Sequence, residues 1–434
     1  MRNIKNLGRS IVCHILERQV RALRRKHTFT IVTVSGSIGK TSTKFATAQI
    51  LEASGKRVRF QDGNYNDRVT VPLVLFGHAM PGLFNILAWL RIFAQNARIV
   101  RQGPAYDVAV LELGTDGPGQ IGQFAYLAPE VAVVTAVTPE HMEYFADLDA
   151  VAREEFAVAR FAKRLLVNAD DTATQYLEPH TGAMTYSVIS PESDFYAKQT
   201  AMDLRGAGLE ISESGQIMAT TDTRLLGQQG AKISLAAAAA ARLVGLDWEE
   251  ISNALPKLEP APGRLNLFEG QSGMTLIDDT YNASPEAVVA ALDVLVSAPG
   301  DKKIAVLGGM NELGSYSPDA HKLVADAINK RPIDAVVVKG ELAARELAPH
   351  IDASRQVIIR RSAQQSALAV REACKGAEHP VVLLKGSQNG VFAEEVTKEL
   401  LANPSDAARL VRQSPAWLRK KHQFEEAAIL TDTQ

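Results

Sequence analysis

Residues 29–44 read FTIVTVSGSIGKTSTK. A short β-branched run enters a glycine at Gly36, and a helical pattern follows over residues 41–53, so the stretch reads as strand, turn and helix. A phosphate loop needs this context. Backbone N–H groups from Gly36 to Lys40 are expected to point inward at phosphate oxygens, with Gly36 and Gly39 permitting the tight path. Lys40 would reach the β/γ-phosphates and the Thr41 hydroxyl would take a Mg²⁺ position, with Ser37 and Ser42 completing the cradle. The GKT triplet alone is weak evidence; the strand, glycine pair and helix around it carry the reading. The first glycine of the general phosphate loop would fall at Val34, so this is a shorter S-G-S-x-G-K-T form.

Working outward, YDVAVLELG (106–114), VAVVTAVT (131–138) and RLLVNADD (164–171) are further apolar strands separated by helical stretches. Buried parallel strands alternating with helices predict an α/β sheet covered on both faces. EISNALPKLEPAPGR (250–264) ends in a Pro-rich stretch that reads as a linker. After it the alternation restarts with MTLIDD (274–279), a helix from Pro285, KIAVLGG (303–309), a helix near 318–330, DAVVVKG (334–340) and PVVLLKGS (380–387). The expected architecture is a three-layer P-loop domain over residues 31–261 and a Rossmann-like domain over 262–425, with 1–30 a basic helix and 426–434 a tail. SLAAAAAARLVGL (234–246) is a strong Ala-rich helix, and the polar end of the chain is expected to fray.

At 434 residues the chain exceeds a single core. A net charge of -2 gives no general reason to expect nucleic acid as a partner. Residues 1–30 nevertheless carry eight basic side chains against the one acid Glu17, with Ile4, Leu7, Ile11 and Ile15 at helical spacing. Two readings stand for this basic amphipathic helix, packing on the next domain or a peripheral membrane contact. Its apolar positions never form the continuous core of a secretory signal. Cys13 and Cys374 lie far apart without metal-ligand neighbours, so neither a zinc motif nor a disulfide framework is present and a cytoplasmic location is expected. LFNILAWLRIFAQNARIV (83–100) is interrupted by Asn85, Arg91 and Gln95, too often to span a bilayer, and should pack on protein.

The loop form GSIGKTSTK (36–44) resembles the Mur ligases, ATP-dependent amide ligases of peptidoglycan precursor synthesis. The likeness is greatest to the members that add D-alanyl-D-alanine (D-Ala-D-Ala) to a UDP-muramoyl tripeptide. GNYNDRVTVPL (63–73) is similar to the family's G-N-x-N-x-x-x-G-V-P-L, with Thr70 where glycine is usual. AVLELGTDGPGQI (109–121), LVNADD (166–171), PGRLN (262–266), LIDDTYNASPEAVVAALDVL (276–295), AVLGGMNELG (305–314) and LLKGS (383–387) follow in the family's order. The resemblance implies ATP and Mg²⁺ and the small-molecule substrates UDP-muramoyl peptide and D-Ala-D-Ala; a monomer is expected.

By that resemblance Thr41, Glu112 and His141 serve the metals, and Asn64 and Asn66 face substrate. Arg264 reaches the ATP phosphates, unless it is an ordinary linker arginine. Asp279 holds the ribose, while Asp278 caps the following turn. Tyr281 and Asn282 shape the nucleotide or acceptor pocket, although Tyr281 could simply pack. Lys385 and Ser387 lie on a loop facing the cleft; His321 has a family counterpart but reads equally as a surface histidine. At the position where relatives carry a CO₂-modified lysine, this chain has Glu155. Helical geometry places Glu155 in the middle of the apolar face formed by Leu148, Val151, Ala152, Val158 and Ala159. An inward carboxylate needs a partner. Glu155 is therefore read as a built-in metal-site carboxylate, or as a structural group paired with an arginine; Glu154, at the edge of the face, is read as solvated.

Two regions depart from the family. QQGAKIS (228–234) stands where relatives carry H-N-x-x-N, so Gln229, Gly230 and Ile233 replace a histidine and two asparagines. Only residues 1–30 precede the phosphate strand, where the family has a uridine-nucleotide domain. The insertion at 78–104 would compensate, or contact lipid or another subunit. The expected activity is ATP-driven amide formation through an acyl phosphate. A different acyl substrate, or a degenerate nucleotide-binding scaffold, are the alternatives.

Overall fold

The computed structural model describes residues 2–432 apart from Asp62, Asn64, Leu83, Glu140 and His141, with side chains described from residue 8 to residue 429. Two expected site residues, Asn64 and His141, therefore lie outside the described residues.

Helix α1 (Arg2–Lys26) precedes strand β1 (Thr30–Ser35), which runs through the glycine turn into α2 (Lys40–Ala53). Then come β2 (Val58–Phe60), α3 (Thr70–Phe76), α4 (Ile86–Gln102), β3 (Val108–Glu112), β4 (Val131–Val134), α5 (Leu148–Glu155), β5 (Leu165–Asn168), the single turn α6 (Thr174–Leu177) and β6 (Met184–Ser187). Three longer strands, β7 (Phe195–Asp203), β8 (Gly206–Glu213) and β9 (Gln216–Thr223), lead to α7 (Gly227–Leu243) and α8 (Trp248–Ala254). Among the described residues the sheet has nine strands in the order β2-β3-β1-β4-β5-β6-β7-β8-β9. It is parallel from β2 to β7 and antiparallel from β7 to β9.

Strands β3, β4 and β5 are buried at every position, which is why they read as continuous apolar runs. The antiparallel end escaped the sequence reading because β9 is mostly exposed and polar. Helices α2, α7 and α8 cover one face; α1, α3, α4 and α5 contribute to the cluster on the other. The layering is the expected three-layer arrangement. Ala236–Ala241 of α7 are fully buried, since methyl side chains let that helix lie close to the sheet.

The second sheet comprises β10 (Asn266–Glu269), β11 (Thr275–Asp279), β12 (Lys302–Gly308), β13 (Ala335–Lys339), β14 (Gln356–Arg360) and β15 (Pro380–Lys385), in the order β10-β11-β15-β12-β13-β14. Its helices are α9 (Pro285–Ser297), α10 (Ser317–Asn329), α11 (Glu341–Glu346), α12 (Ala363–Ala373), α13 (Glu394–Leu400) and α14 (Pro415–Asp432). All pairs are parallel except β10 with β11. The end expected to fray is helix α14. Phe424 packs edge-on against Phe392, with ring centres 5.2 Å apart. Glu425 binds both Lys339 Nζ at 3.2 Å and the Ala363 amide at 2.6 Å. Buried ion pairs hold this segment, so its polarity was a poor guide to its order.

Register brings the chemistry to the carboxyl ends of both sheets. Val34 of β1 pairs with Glu112 of β3, and Asp279 of β11 pairs with Lys385 of β15. Open α/β sheets bind ligands at this edge.

Candidate functional site at the carboxyl ends of the two sheets

The phosphate loop is built as a tight return. Gly36 has φ +117°, and a Cβ there would lie 2.5 Å from Thr135 Oγ1 and 2.7 Å from the Thr135 amide. Gly39, at φ +88°, caps α2 without any side-chain cap. The first-turn amides of α2 are thus left for an anion. The expected inward path of every amide is corrected at two places. The Gly36 N–H donates to Glu155 Oε2 at 2.6 Å, and the Ser37 N–H donates to the Ala136 carbonyl at 2.9 Å. Ser37 Oγ donates to the Thr138 carbonyl at 2.9 Å and accepts the Thr138 N–H at 3.0 Å. Ser37 is therefore a strut between loops, and the cradle narrows to residues 38–41. Lys40 Nζ folds over the loop, donating to the carbonyls of Gly36 at 2.5 Å and Ser37 at 3.1 Å.

Beside the loop lies a polar cavity of about 190 Å³, lined by Lys40, Thr41, Asn66, Glu112, Asp116, Arg264, Tyr281, Asn282 and Glu312. Glu112 is 2% exposed. Its Oε1 accepts from Asn66 Nδ2 and its Oε2 from Lys44 Nζ, each at 3.3 Å. Gln61 clamps the Glu112 main chain, accepting its N–H and donating to its carbonyl, both at 2.8 Å. A Cβ at Gly114 would meet Asn66 Nδ2 at 2.3 Å, which is the physical reason for the glycine of the E-x-G pattern. Sequence reasoning missed Lys44, although it sits four residues after Lys40 on the same helical face. It also missed Gln61, Asp116 and Glu312, whose placement depends on the fold.

The donors Thr41, Glu112 and Asp116 share this cavity and offer only oxygen, the hard set that suits Mg²⁺. Among the described residues no group of three His, Cys, Asp or Glu side chains is arranged to hold a metal.

A second cavity of about 490 Å³ is mainly apolar, with Ile38, Leu225, Leu226, Ile233 and Val294 in its wall and Ser42, Gln229, Lys232, Asp279 and Lys385 at polar points. Lys232 Nζ donates to Asp171 Oδ1 at 2.7 Å. The altered QQGAKIS stretch thus forms a wall of this space. Arg264 lines both cavities and lies 4.2 Å from the Tyr281 ring centre. Burial raises the Tyr281 phenol above its usual range.

Asp279 accepts from Lys385 Nζ at 2.6 Å, and the same ammonium donates to the Asn282 carbonyl at 2.9 Å. Burial lowers the Lys385 pKa, opposed by Asp279. Lys385 therefore belongs to the larger cavity. Ser387 lines neither cavity; its hydroxyl accepts the Asn311 N–H at 2.9 Å and ties two loops together. Asp278 is fully buried and accepts from Thr280 at 2.9 Å and Thr397 at 2.8 Å, while burial pushes its pKa up to about 7. His321 is no surface histidine. It is fully buried, accepts the Met310 N–H at Nε2 and donates from Nδ1 to the Ser317 carbonyl, and burial lowers its pKa.

The neighbouring acids of α5 have separate tasks. Glu155 is 3% exposed as expected, lines neither cavity, and anchors Gly36. One observed partner of its carboxylate is the backbone amide of Gly36. Glu154, expected in solvent, is 5% exposed and binds the amides of Gly119 at 2.5 Å and Ile121 at 2.6 Å. The loop after β3 wraps over the helix edge, which helix periodicity alone does not contain.

Residues 34–241 match the Mur ligase middle domain, and residues 263–388 match the Mur ligase glutamate ligase domain. The UDP-N-acetylmuramoyl-tripeptide--D-alanyl-D-alanine ligase of Escherichia coli is 30% identical over 383 residues, covering 86% of this chain and 77% of the relative. The ligase of the same name from Synechocystis is 26% identical, covering 77% of this chain and 68% of the relative. Among solved structures, a MurF from Acinetobacter baumannii superposes with a TM-score of 0.75 at 21% identity, over 89% of this chain and 80% of that one. The MurF ligase of Thermotoga maritima in complex with ADP gives a TM-score of 0.70 at 22% identity, over 89% and 82%.

Proposed function

The chain belongs to the Mur ligase family, and from that premise we propose that it is an ATP-dependent, ADP-forming amide ligase joining D-Ala-D-Ala to a UDP-muramoyl tripeptide. One observation carries this reading. An apolar cavity sized for a nucleoside and an acid-lined polar cavity meet across Arg264, with the phosphate loop bordering both.

ATP lies along that seam in the proposed complex, its base in the larger cavity and its triphosphate on the first amides of α2. Asp279 accepts from the ribose hydroxyls. A carboxylate oxygen of the acyl substrate attacks the γ-phosphorus, the bond to the β-phosphate oxygen breaks, and ADP leaves. Lys40 and Arg264 offset the charge that spreads over the transferring group. Thr41, Glu112 and His141 would hold Mg²⁺, which when bound neutralises phosphate oxygens. Asn64, Asn66 and Asn282 are the proposed contacts of the peptide substrate. The amine then attacks the acyl carbon, loses a proton, and inorganic phosphate departs as the amide forms. Glu155 enters as the anchor that holds Gly36 and hence the loop's path.

The test is phosphate release from MgATP with UDP-muramoyl tripeptide and D-Ala-D-Ala, with the product weighed by mass spectrometry. A pentapeptide product formed at one phosphate per amide is the expected result. ATP binding without product from this pair sinks the substrate assignment and directs the search to other acyl substrates; absence of ATP binding sinks the ligase reading itself.

A further inference from the structure

Burial explains only one side of α4. Trp89, Ile92, Asn96 and Val100 face inward, and Asn96 and Phe93 bond to Gln19 of α1. The outward side begins with Ile86, 70% exposed, Leu87, 81% exposed, and Leu90; Met80 and Phe84 add to it from the preceding loop. Leu87, Ile86 and Phe84 are the three most exposed large apolar side chains among the described residues.

Helix α1 runs beside α4 in the same direction. Cys13 and Leu16 cluster with Trp89 and Ile92, while His27 bonds to the Val100 carbonyl. Exposed Ile11 therefore lies at the end of α1 that accompanies the apolar tip of α4. Beyond that tip the exposed sides carry Arg18, Arg21 and Arg25 on α1, and Arg91, Arg98 and Arg101 on α4. Residues 68–106 contain four arginines and no Asp or Glu. The nearby acids are already engaged, Asp67 by Arg9 and Glu17 by Arg68 and Arg21.

We propose that this face docks on an anionic phospholipid bilayer. The apolar tip, led by Ile86, Leu87 and Leu90, enters the headgroup–acyl boundary, and the arginines that follow lie among lipid phosphates. Exposed apolar patches rimmed by polar residues mark protein or membrane interaction surfaces, and the positive sign of the rim here selects the partner. A second copy is the poorer occupant. A two-fold contact would set this face against itself, arginine against arginine with no acid to complement them. None of these residues lines either cavity, so the proposal stands apart from the catalytic reading.

The experiment is co-sedimentation of the whole protein with vesicles of equimolar phosphatidylglycerol and phosphatidylcholine, against pure phosphatidylcholine. Wild type is compared with Ile86→Glu/Leu87→Glu and with Arg91→Gln/Arg98→Gln/Arg101→Gln, all at exposed positions. The expected result is binding to the anionic vesicles alone, weakened by salt. Each multiple variant should reduce it about ten-fold or more, with thermal midpoint and ATP turnover unchanged. No binding to anionic vesicles, equal binding to both vesicle types, or binding that survives both variants each overturns the proposal. A solution dimer that the Ile86→Glu/Leu87→Glu variant splits also overturns it, in favour of a second copy.

Discussion

The two cavities that meet at Arg264 were assembled in different ways. One wall of the polar one is a single continuous segment, the return from β1 into α2, with its glycines, uncapped helix start and lysine, while Asn66, Glu112, Arg264, Tyr281 and Glu312 reach it from distant stretches. The apolar one is walled chiefly by four separate stretches, around Ile38, over 225–233, over 259–265 and over 286–294, and depends mainly on shape and apolarity, with Lys232, Asp279 and Lys385 among its few polar points. Phosphate chemistry permits few solutions, whereas a base-binding wall permits many. The family's usual residues can therefore be lost at 228–234 while the loop keeps its pattern.

That difference predicts unequal tolerance to substitution. Lys40→Ala should cut kcat about 10³-fold if Lys40 offsets charge on the transferring phosphoryl group as proposed; single-turnover phosphate release checks it. Activity within a few-fold of wild type would overturn the phosphate-loop role of Lys40.

A pH effect tests the floor beneath the site, where Asp278 is buried and Asp279 faces the cavity. The Asp278 pKa is raised from 3.8 to about 7, so the folded state holds an extra proton between those values. Its contribution to stability is fully present below the unfolded value and is lost as pH rises through about 7. Asp278→Asn should flatten that slope, by at most about 4 kcal/mol and by less once the site relaxes. Denaturant midpoints from pH 4 to pH 8 would show an unchanged slope if the reading is wrong.

Glu155 separates anchoring from metal binding. Glu155→Ala should cost about 1–3 kcal/mol, because the buried Gly36 amide loses its partner. Glu155→Gln keeps an acceptor oxygen and should retain most stability and turnover, without dependence on added bicarbonate. A collapse of activity in Glu155→Gln at full stability would assign the residue to the metal site. The smallest effect belongs to the tolerant wall: Gln229→Leu should change KM for ATP by no more than about ten-fold, roughly 1.4 kcal/mol, with kcat preserved.

Much of this was legible because it is local. The phosphate loop, the α/β alternation and the inward direction of Glu155 follow from glycine conformation and from periods of 2 and 3.6. The misses share a cause. Strands β8 and β9 pair with each other, so their stability lies in a ladder that polar composition does not reveal. Helix α14 is held by buried pairs to Lys339 and to the Ala363 amide, and Ser37 and Ser387 proved to bond to distant loops.

By itself, then, the sequence determined the phosphate loop, the two α/β units and the family, since each is written in short-range backbone preference or in ordered motifs. Only the tertiary structure decided that Glu155 meets the Gly36 amide and that Glu154 meets those of Gly119 and Ile121. A buried carboxylate binds whichever N–H groups a remote segment brings to it, and that segment is positioned by packing rather than by its neighbours in the chain.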